Sequence, residues 1–214
     1  MITQDFDAII FDCDGTLVDS EPITVRTLVD FVEQFGLQLD YDEALALFIG
    51  RDMQMIVKVL EERIGKPLPE EFANEYRKRQ SAGLRKSLQT IPGAHELLES
   101  INRPTCVASN APQYKIKLNL KVTKLDKFFD KDRIYSAYDI RVWKPAPDLF
   151  LHAAEKMNVQ PHQCVVIEDS LAGIQAGIDA GMQTIGYAAN KDVQPTDQVP
   201  FVHDLRDLIP MLGS

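Results

Sequence analysis

Along this chain, short uninterrupted apolar runs alternate with longer stretches of helical period. Residues 8–11, 105–108 and 164–167 are apolar almost without a break. A strand with one wet face alternates apolar and polar side chains, so runs of this kind fit strands covered on both faces. Residues 184–187 repeat the pattern more weakly, and Ile134-Tyr135 leads into an outer strand. Between them the spacing predicts helices over 94–101, 112–120, 147–157 and 170–180. The last of these stops at Gly181, a residue suited to the left-handed turn that ends a helix. Strand and helix in alternation imply an α/β fold, an open Rossmann-like parallel sheet with right-handed crossovers.

Residues 17–88 depart from that rhythm. They contain no convincing strand but carry helical patterns over 21–35, 40–48, 52–64 and 69–86, with Gly36 and Gly65 as stops. Asp40 has the character of an N-cap, with Glu43 three residues on. A crossover needs far fewer residues than this. The expectation is an all-helical cap domain over 17–88, seated above the carboxyl end of the sheet. It divides a core domain into residues 1–16 and 89–214.

Composition removes several classes of function. The net charge is −9, with 26% of residues charged and 45% hydrophobic, as in an ordinary soluble enzyme. An acidic balance opposes nucleic-acid binding, and Arg77-Lys78-Arg79 sits in a helical pattern with Glu70, Glu71 and Glu75 that reads as a solvated face. Nothing approaches the roughly 18–20 apolar residues that cross a bilayer. Met1 to Asp5 has no basic stretch of the secretory kind. Cys13, Cys106 and Cys164 lack metal-ligand spacing and suit a reducing compartment. These points predict a cytoplasmic protein, monomeric or weakly self-associating, with no nucleic-acid or membrane partner.

The chemistry lies where the apolar runs stop. Asp12 and Asp14 follow the first run, Ser109 and Asn110 the second, and Glu168 and Asp169 the third. Ligands of open α/β sheets bind outside the carboxyl ends of the strands, so three strands deliver polar groups to one edge. Four carboxylates gathered there repel: two unit charges about 4 Å apart cost roughly 4 kcal/mol at an effective dielectric of 20. A cation relieves this, and Mg²⁺ suits carboxylate and carbonyl oxygens while leaving room for a substrate phosphate. A calcium loop opening at Asp12 fails, because Leu17 and Ile23 stand where glycine and glutamate belong. Lys144, between Trp143 and Pro145, is either a surface residue lying along its stem or the charge that balances the acids. Ser170 reads as a helix cap. No histidine pairs with an acid at a recognisable spacing, and Cys13 has no such base beside it.

Asp12-Cys13-Asp14-Gly15-Thr16, Ser109, Lys144 and Glu168-Asp169-Ser170 resemble, in order, the four motifs of the haloacid dehalogenase-like hydrolases. The helical insertion and the run from Asp169 to Ile174 resemble the branch of β-phosphoglucomutase and phosphoglycolate phosphatase. Residues 136–159 resemble bacterial sugar-phosphate phosphatases of the 6-phosphogluconate phosphatase type. The resemblance implies that Asp12 attacks phosphorus and that Asp14 serves as acid and then base. It implies Mg²⁺ held by Asp12, the Asp14 carbonyl and Asp169, with Glu168 as ligand or supporting partner. It implies that Ser109, Asn110 and Lys144 bind the phosphoryl group of a small phosphorylated metabolite. Arg51, in the cap loop Gly50-Arg51-Asp52, is the candidate reader of a second anionic group; the alternative is a surface arginine in a helix connector. Asp14 argues against halide chemistry. The mutases' cap histidine and arginine are replaced here by Thr24 and Met53, which favours a phosphatase over a sugar phosphomutase. A non-catalytic protein of the same fold is the remaining alternative.

Overall fold

The structure, a computed structural model, describes residues 6–48, 53–189 and 196–213. Its chain divides into two compact units, residues 1–19 with 89–214, and residues 20–88.

Among the described residues, the first unit is built on six strands: β1 (Ala8–Phe11), β2 (Thr105–Ser109), β3 (Ile134–Ser136), β4 (Cys164–Glu168), β5 (Gln183–Tyr187) and β6 (Phe201–Val202). They form one sheet in the order β3-β2-β1-β4-β5-β6, and every pairing is parallel. The chain steps outward from β1 through β2 to β3, then returns to the other side of β1 for β4. Ligand crevices open where the strand order reverses in this way. Successive residues of β1 face opposite sides. Ala8 and Ile10 join a core with Cys106, Ala108, Leu149, Phe150 and Val166, while Phe11 meets Phe129 edge-on at 6.3 Å. Both faces are covered, which explains why β1 has no polar alternation. Each large side chain buried this way contributes about 1.5–3 kcal/mol.

The sequence pattern reads the inner strands well and the edges less well. β3 emerges from the Ile134-Tyr135 pair, whereas β6, only a two-residue strand, carries no periodic signal. Around the sheet lie α5 (Ala94–Ser100), α6 (Gln113–Val122), α7 (Ala137–Ile140), α8 (Asp148–Met157), α9 (Leu171–Asp179) and α10 (Ile209–Leu212). Ser170 caps α9, its Oγ accepting from the Gly173 N–H at 3.0 Å.

The second unit holds α1 (Glu21–Val32), α2 (Tyr41–Phe48), α3 (Met53–Ile64) and α4 (Phe72–Ser87). Asp40 caps α2 by accepting from the Asp42 N–H at 2.8 Å and the Glu43 N–H at 3.3 Å. Helix α4 begins at Phe72, three residues later than the charge pattern predicts. The reason is local: Phe72 N–H bonds the Pro69 carbonyl in a turn that precedes the helix. Val25, Leu28, Phe31, Leu60 and Phe72 fill the centre, and Phe31 stacks on Phe72 at 4.9 Å.

Candidate active site

The parallel register sets the site. Phe11 lies opposite Val107 of β2 and opposite Ile167 of β4. The Asp12 N–H extends the ladder by donating to the Ile167 carbonyl at 3.0 Å. Asp12 and Glu168 therefore leave adjacent strands at one level, and strand spacing of about 4.8 Å keeps them neighbours.

Lys144 is the charge that meets them. Its Nζ donates to Asp12 Oδ1 at 2.6 Å and to Glu168 Oε1 at 2.9 Å. Its side chain is only 2% exposed, and the ammonium lies 4.6 Å over the Phe150 ring. A lysine on the surface is thereby excluded. The loop carrying it is braced by Asn110, whose Oδ1 accepts from the Lys144 N–H at 2.9 Å and whose Nδ2 donates to the Lys144 carbonyl at 3.3 Å. Burial pushes the Asp12 carboxyl up to about 7, against the opposing pull of Lys144. Burial works against the Lys144 ammonium too, but Asp12 and Glu168 more than offset it and raise its pKa.

Glu168 is held from both ends. Besides Lys144, its Oε2 accepts from the Ser170 N–H at 2.6 Å and the Ser170 hydroxyl at 2.9 Å. It also lies so close to Gly173 that a Cβ there would strike its carboxylate. Asp169 Oδ1 accepts from the Thr16 hydroxyl at 2.7 Å, and its carboxylate lies against Gly15. Only glycine fits at 15, because φ is +91° and a Cβ would collide with Asp169. Asp12, Glu168 and Asp169 each offer one oxygen, all within 4.8 Å of one another.

Asp14 departs from the expected four-acid cluster. Its carboxylate turns to α6, where Lys115 Nζ stands 3.0 Å from Oδ2 and Asn119 Nδ2 donates to Oδ1 at 2.9 Å. The reason is backbone geometry. Asp12 is still on the sheet ladder, but the chain turns at Cys13, whose carbonyl accepts from the Leu17 and Val18 N–H groups at 3.0 and 3.1 Å, so Asp14 already belongs to the turn. Burial opposes the Lys115 charge, but Asp14 overcomes it and raises the lysine pKa. Lys115 and Asn119 do not stand out beside Lys117 and Lys121 in the sequence. The one available signal is Asn119 itself, a polar residue in phase with the buried Ile116 and Leu120.

Ser109, 2% exposed, ends β2 beside this group and accepts from the Ala111 N–H at 3.2 Å. Cys13 is fully buried and its thiol is pushed far up, first by burial and then by Asp14 and Asp12. It therefore lacks the character of a nucleophile. Arg51, with Gly50 and Asp52, lies outside the described residues.

A strand-end nucleophile candidate neutralised by a buried lysine, beside two further acids, matches a known pattern along the chain. The haloacid dehalogenase-like hydrolase family pattern covers residues 9–187. The chain belongs to the haloacid dehalogenase-like hydrolases. Among curated relatives of this hydrolase, the 6-phosphogluconate phosphatase of Escherichia coli K12 is 39% identical over 190 residues, covering 88% of this chain and 86% of that one. The fructose-1-phosphate phosphatase YqaB of the same organism is 31% identical over 179 residues, covering 83% and 94%. A conserved haloacid dehalogenase-like protein of Agrobacterium tumefaciens superposes with a TM-score of 0.78 at 31% identity, covering 96% and 97%. The hydrolase is a phosphatase, as the two Escherichia coli relatives are.

Proposed function

We propose that this phosphatase hydrolyses a small sugar or sugar-acid phosphate, 6-phosphogluconate being the first candidate, through an aspartyl-phosphate on Asp12. The observation that carries the reading is the buried Lys144 bridging Asp12 and Glu168. It offsets the charge of a carboxylate that must stay ionised to attack. Phosphoryl transfer asks little covalent work of a protein beyond positioning and neutralising charge.

Asp12, through an oxygen not bonded to Lys144, forms a bond to phosphorus as the bond to the leaving alkoxide breaks. Asp14 gives that alkoxide a proton. Water then attacks the phosphorus, losing its proton to Asp14, and the Asp12–phosphorus bond breaks to release phosphate. Both aspartates end as they began. Ser109 and Lys144 hold phosphoryl oxygens, and Asn110 acts on them indirectly by bracing the Lys144 backbone. Arg51 remains the proposed reader of a substrate carboxylate.

An all-oxygen set of three carboxylates this close suits a hard divalent cation, and we assign it to Mg²⁺. Asp12, Asp169 and the Asp14 carbonyl would hold the ion. Glu168, whose oxygens already accept from Lys144 and Ser170, supports it from behind. When bound, Mg²⁺ lowers the repulsion between the entering phosphate and these acids. Free, buried cysteines agree with a cytoplasmic setting.

The test is a screen of phosphorylated metabolites with Mg²⁺, reading free phosphate, with Asp12→Asn in parallel. Release from a sugar phosphate that Asp12→Asn abolishes is expected. No release from any substrate, or undiminished release by the variant, overturns the reading. Isomer formation without phosphate points instead to a phosphomutase. Comparing 6-phosphogluconate with glucose 6-phosphate in Arg51→Ala tests the arginine, and equal losses on both remove its discriminating role.

A further inference from the structure

We infer that Lys115 and Asn119 form a two-point clamp that positions Asp14 for proton transfer at the leaving oxygen. This rests on the phosphatase reading and on Asp14 as its acid. The two residues are four apart on α6, so they project from one helix face. Each takes a different oxygen of the same carboxylate: Lys115 Nζ at 3.0 Å from Oδ2, Asn119 Nδ2 at 2.9 Å from Oδ1. One donor would leave the carboxylate free to rotate about its bond to Cβ. Two donors on separate oxygens set both its direction and its plane.

The cost of this arrangement argues that it serves more than packing. Asn119 is completely buried; beyond Asp14 its amide has only the Cys13 thiol, a weak partner, and its Oδ1 meets no donor of ordinary geometry. An unmet buried acceptor costs about 1–3 kcal/mol. A leucine would fill an interior helix position beside Ile116 and Leu120 without that cost. Lys115 is likewise drawn out of water, its side chain only 12% exposed. The clamp is also separate from the other charged set. Lys144 serves Asp12 and Glu168, and Lys115 serves Asp14. Each aspartate of the Asp-x-Asp pair thus has its own cation. Asp14 can keep its aim while Asp12 changes from carboxylate to acyl phosphate and back.

A positioning role for a general acid has a signature that loss of fold or of phosphate binding lacks. Protonation matters for an alkoxide leaving group and little for nitrophenolate. The experiment measures kcat/KM, which reports the steps up to leaving-group departure, on two substrates. One is the sugar phosphate hydrolysed fastest in the screen, the other 4-nitrophenyl phosphate. Lys115→Met is expected to lose about 100-fold on the sugar phosphate, the low end of what general acid catalysis contributes. Its loss on the aryl phosphate is expected to be at least tenfold smaller. Inhibition by inorganic phosphate should be unchanged, and Lys115→Arg should restore most of the activity. Asn119→Leu should show the same selectivity in weaker form with no loss of melting temperature, which guards against a Lys115→Met protein that fails to fold. Equal losses on both substrates, or weakened phosphate inhibition, overturn the clamp and leave the phosphatase reading standing. An Asp14→Asn enzyme without leaving-group dependence overturns it through Asp14. A wild-type protein that releases phosphate from neither substrate removes the phosphatase reading and the clamp together.

Discussion

The strand ends of the sheet unit and the interior of the helical unit solve the problem of burial in opposite ways. At the strand ends Asp12, Lys144 and Glu168 are charged groups withdrawn from water, and each is tolerable only because the others are present. In the helical unit the centre is aromatic and aliphatic, with Phe31 flanked by Phe35 at 5.4 Å and Phe72 at 4.9 Å. Its ion pairs lie outside: the Arg63 and Glu43 side chains are 33% and 45% exposed. Its buried polar cluster is uncharged, Gln80 donating to the Thr24 hydroxyl at 3.2 Å and to Tyr76 Oη at 3.1 Å. One region therefore stores interdependent charge that chemistry can use. The other stores separable hydrophobic energy that only holds a shape.

The contrast can be broken first at its strongest point. Lys144→Met leaves Asp12 and Glu168 buried without their cation. Removing one partner of such a set costs about 3–5 kcal/mol. Urea unfolding should show that loss, and phosphate release should fall by more than about 1,000-fold, the order set by losing an electrostatic stabiliser of transferring charge. Retained stability would mean that the acids take up protons and that the set is not interdependent. Phe72→Ala tests the other side. It opens a cavity beside Phe31 and should cost a similar ~3–5 kcal/mol, yet activity per folded molecule, measured well below the melting temperature, should fall less than about tenfold. A larger loss would show that the helical unit's packing sets the chemistry.

Gly173→Ala sharpens the comparison within the sheet unit. The added methyl group meets the Glu168 carboxylate, and overpacking of this kind costs about 1–3 kcal/mol. Because Glu168 also orients Lys144, activity should fall more steeply than stability, in contrast to Phe72→Ala.

The ion and pH offer a gentler probe. The Asp12 carboxyl is raised from 3.8 to about 7 by burial. A raised acid contributes stability that is complete below its unfolded value and is lost as pH rises through its folded value. Without divalent ions, this group therefore makes the protein less stable at pH 8 than at pH 5. A bound cation favours the carboxylate, so Mg²⁺ should raise the melting temperature more at pH 8 than at pH 5.5. Each 1 kcal/mol corresponds to about 2–4 °C for a chain of this size, and equal shifts at the two pH values would refute the assignment. Arg63→Gln should have the smallest effect, below about 1 kcal/mol by denaturant unfolding, as for exposed pairs generally.

Much of this was legible in the residues, for reasons that differ by element. β1, β2 and β4 were readable because double coverage removes polar alternation over several consecutive positions. β6 was not, because a pair of residues has no period. Asp12, Glu168 and Asp169 were readable because carboxylates directly after a buried run demand a partner. Asp14 was readable as a candidate, but its partners were not: Lys115 and Asn119 lie 101 and 105 positions further on, and nothing local marks them among the lysines of α6.

The amino-acid order alone thus determined which elements form and which residues stand at their ends, since periodicity and capping act over a few residues. Only the tertiary structure decided which charge meets which. Lys144 reaches Asp12 across 132 positions because β2 runs beside β1 and leads into Asn110, which holds the Lys144 backbone. Asp14 meets α6 because the chain leaves the strand and turns at Cys13, between the two aspartates. Burial makes these choices decisive: in water any cation screens an acid at small cost, but at a buried strand end only the one the fold delivers can do so.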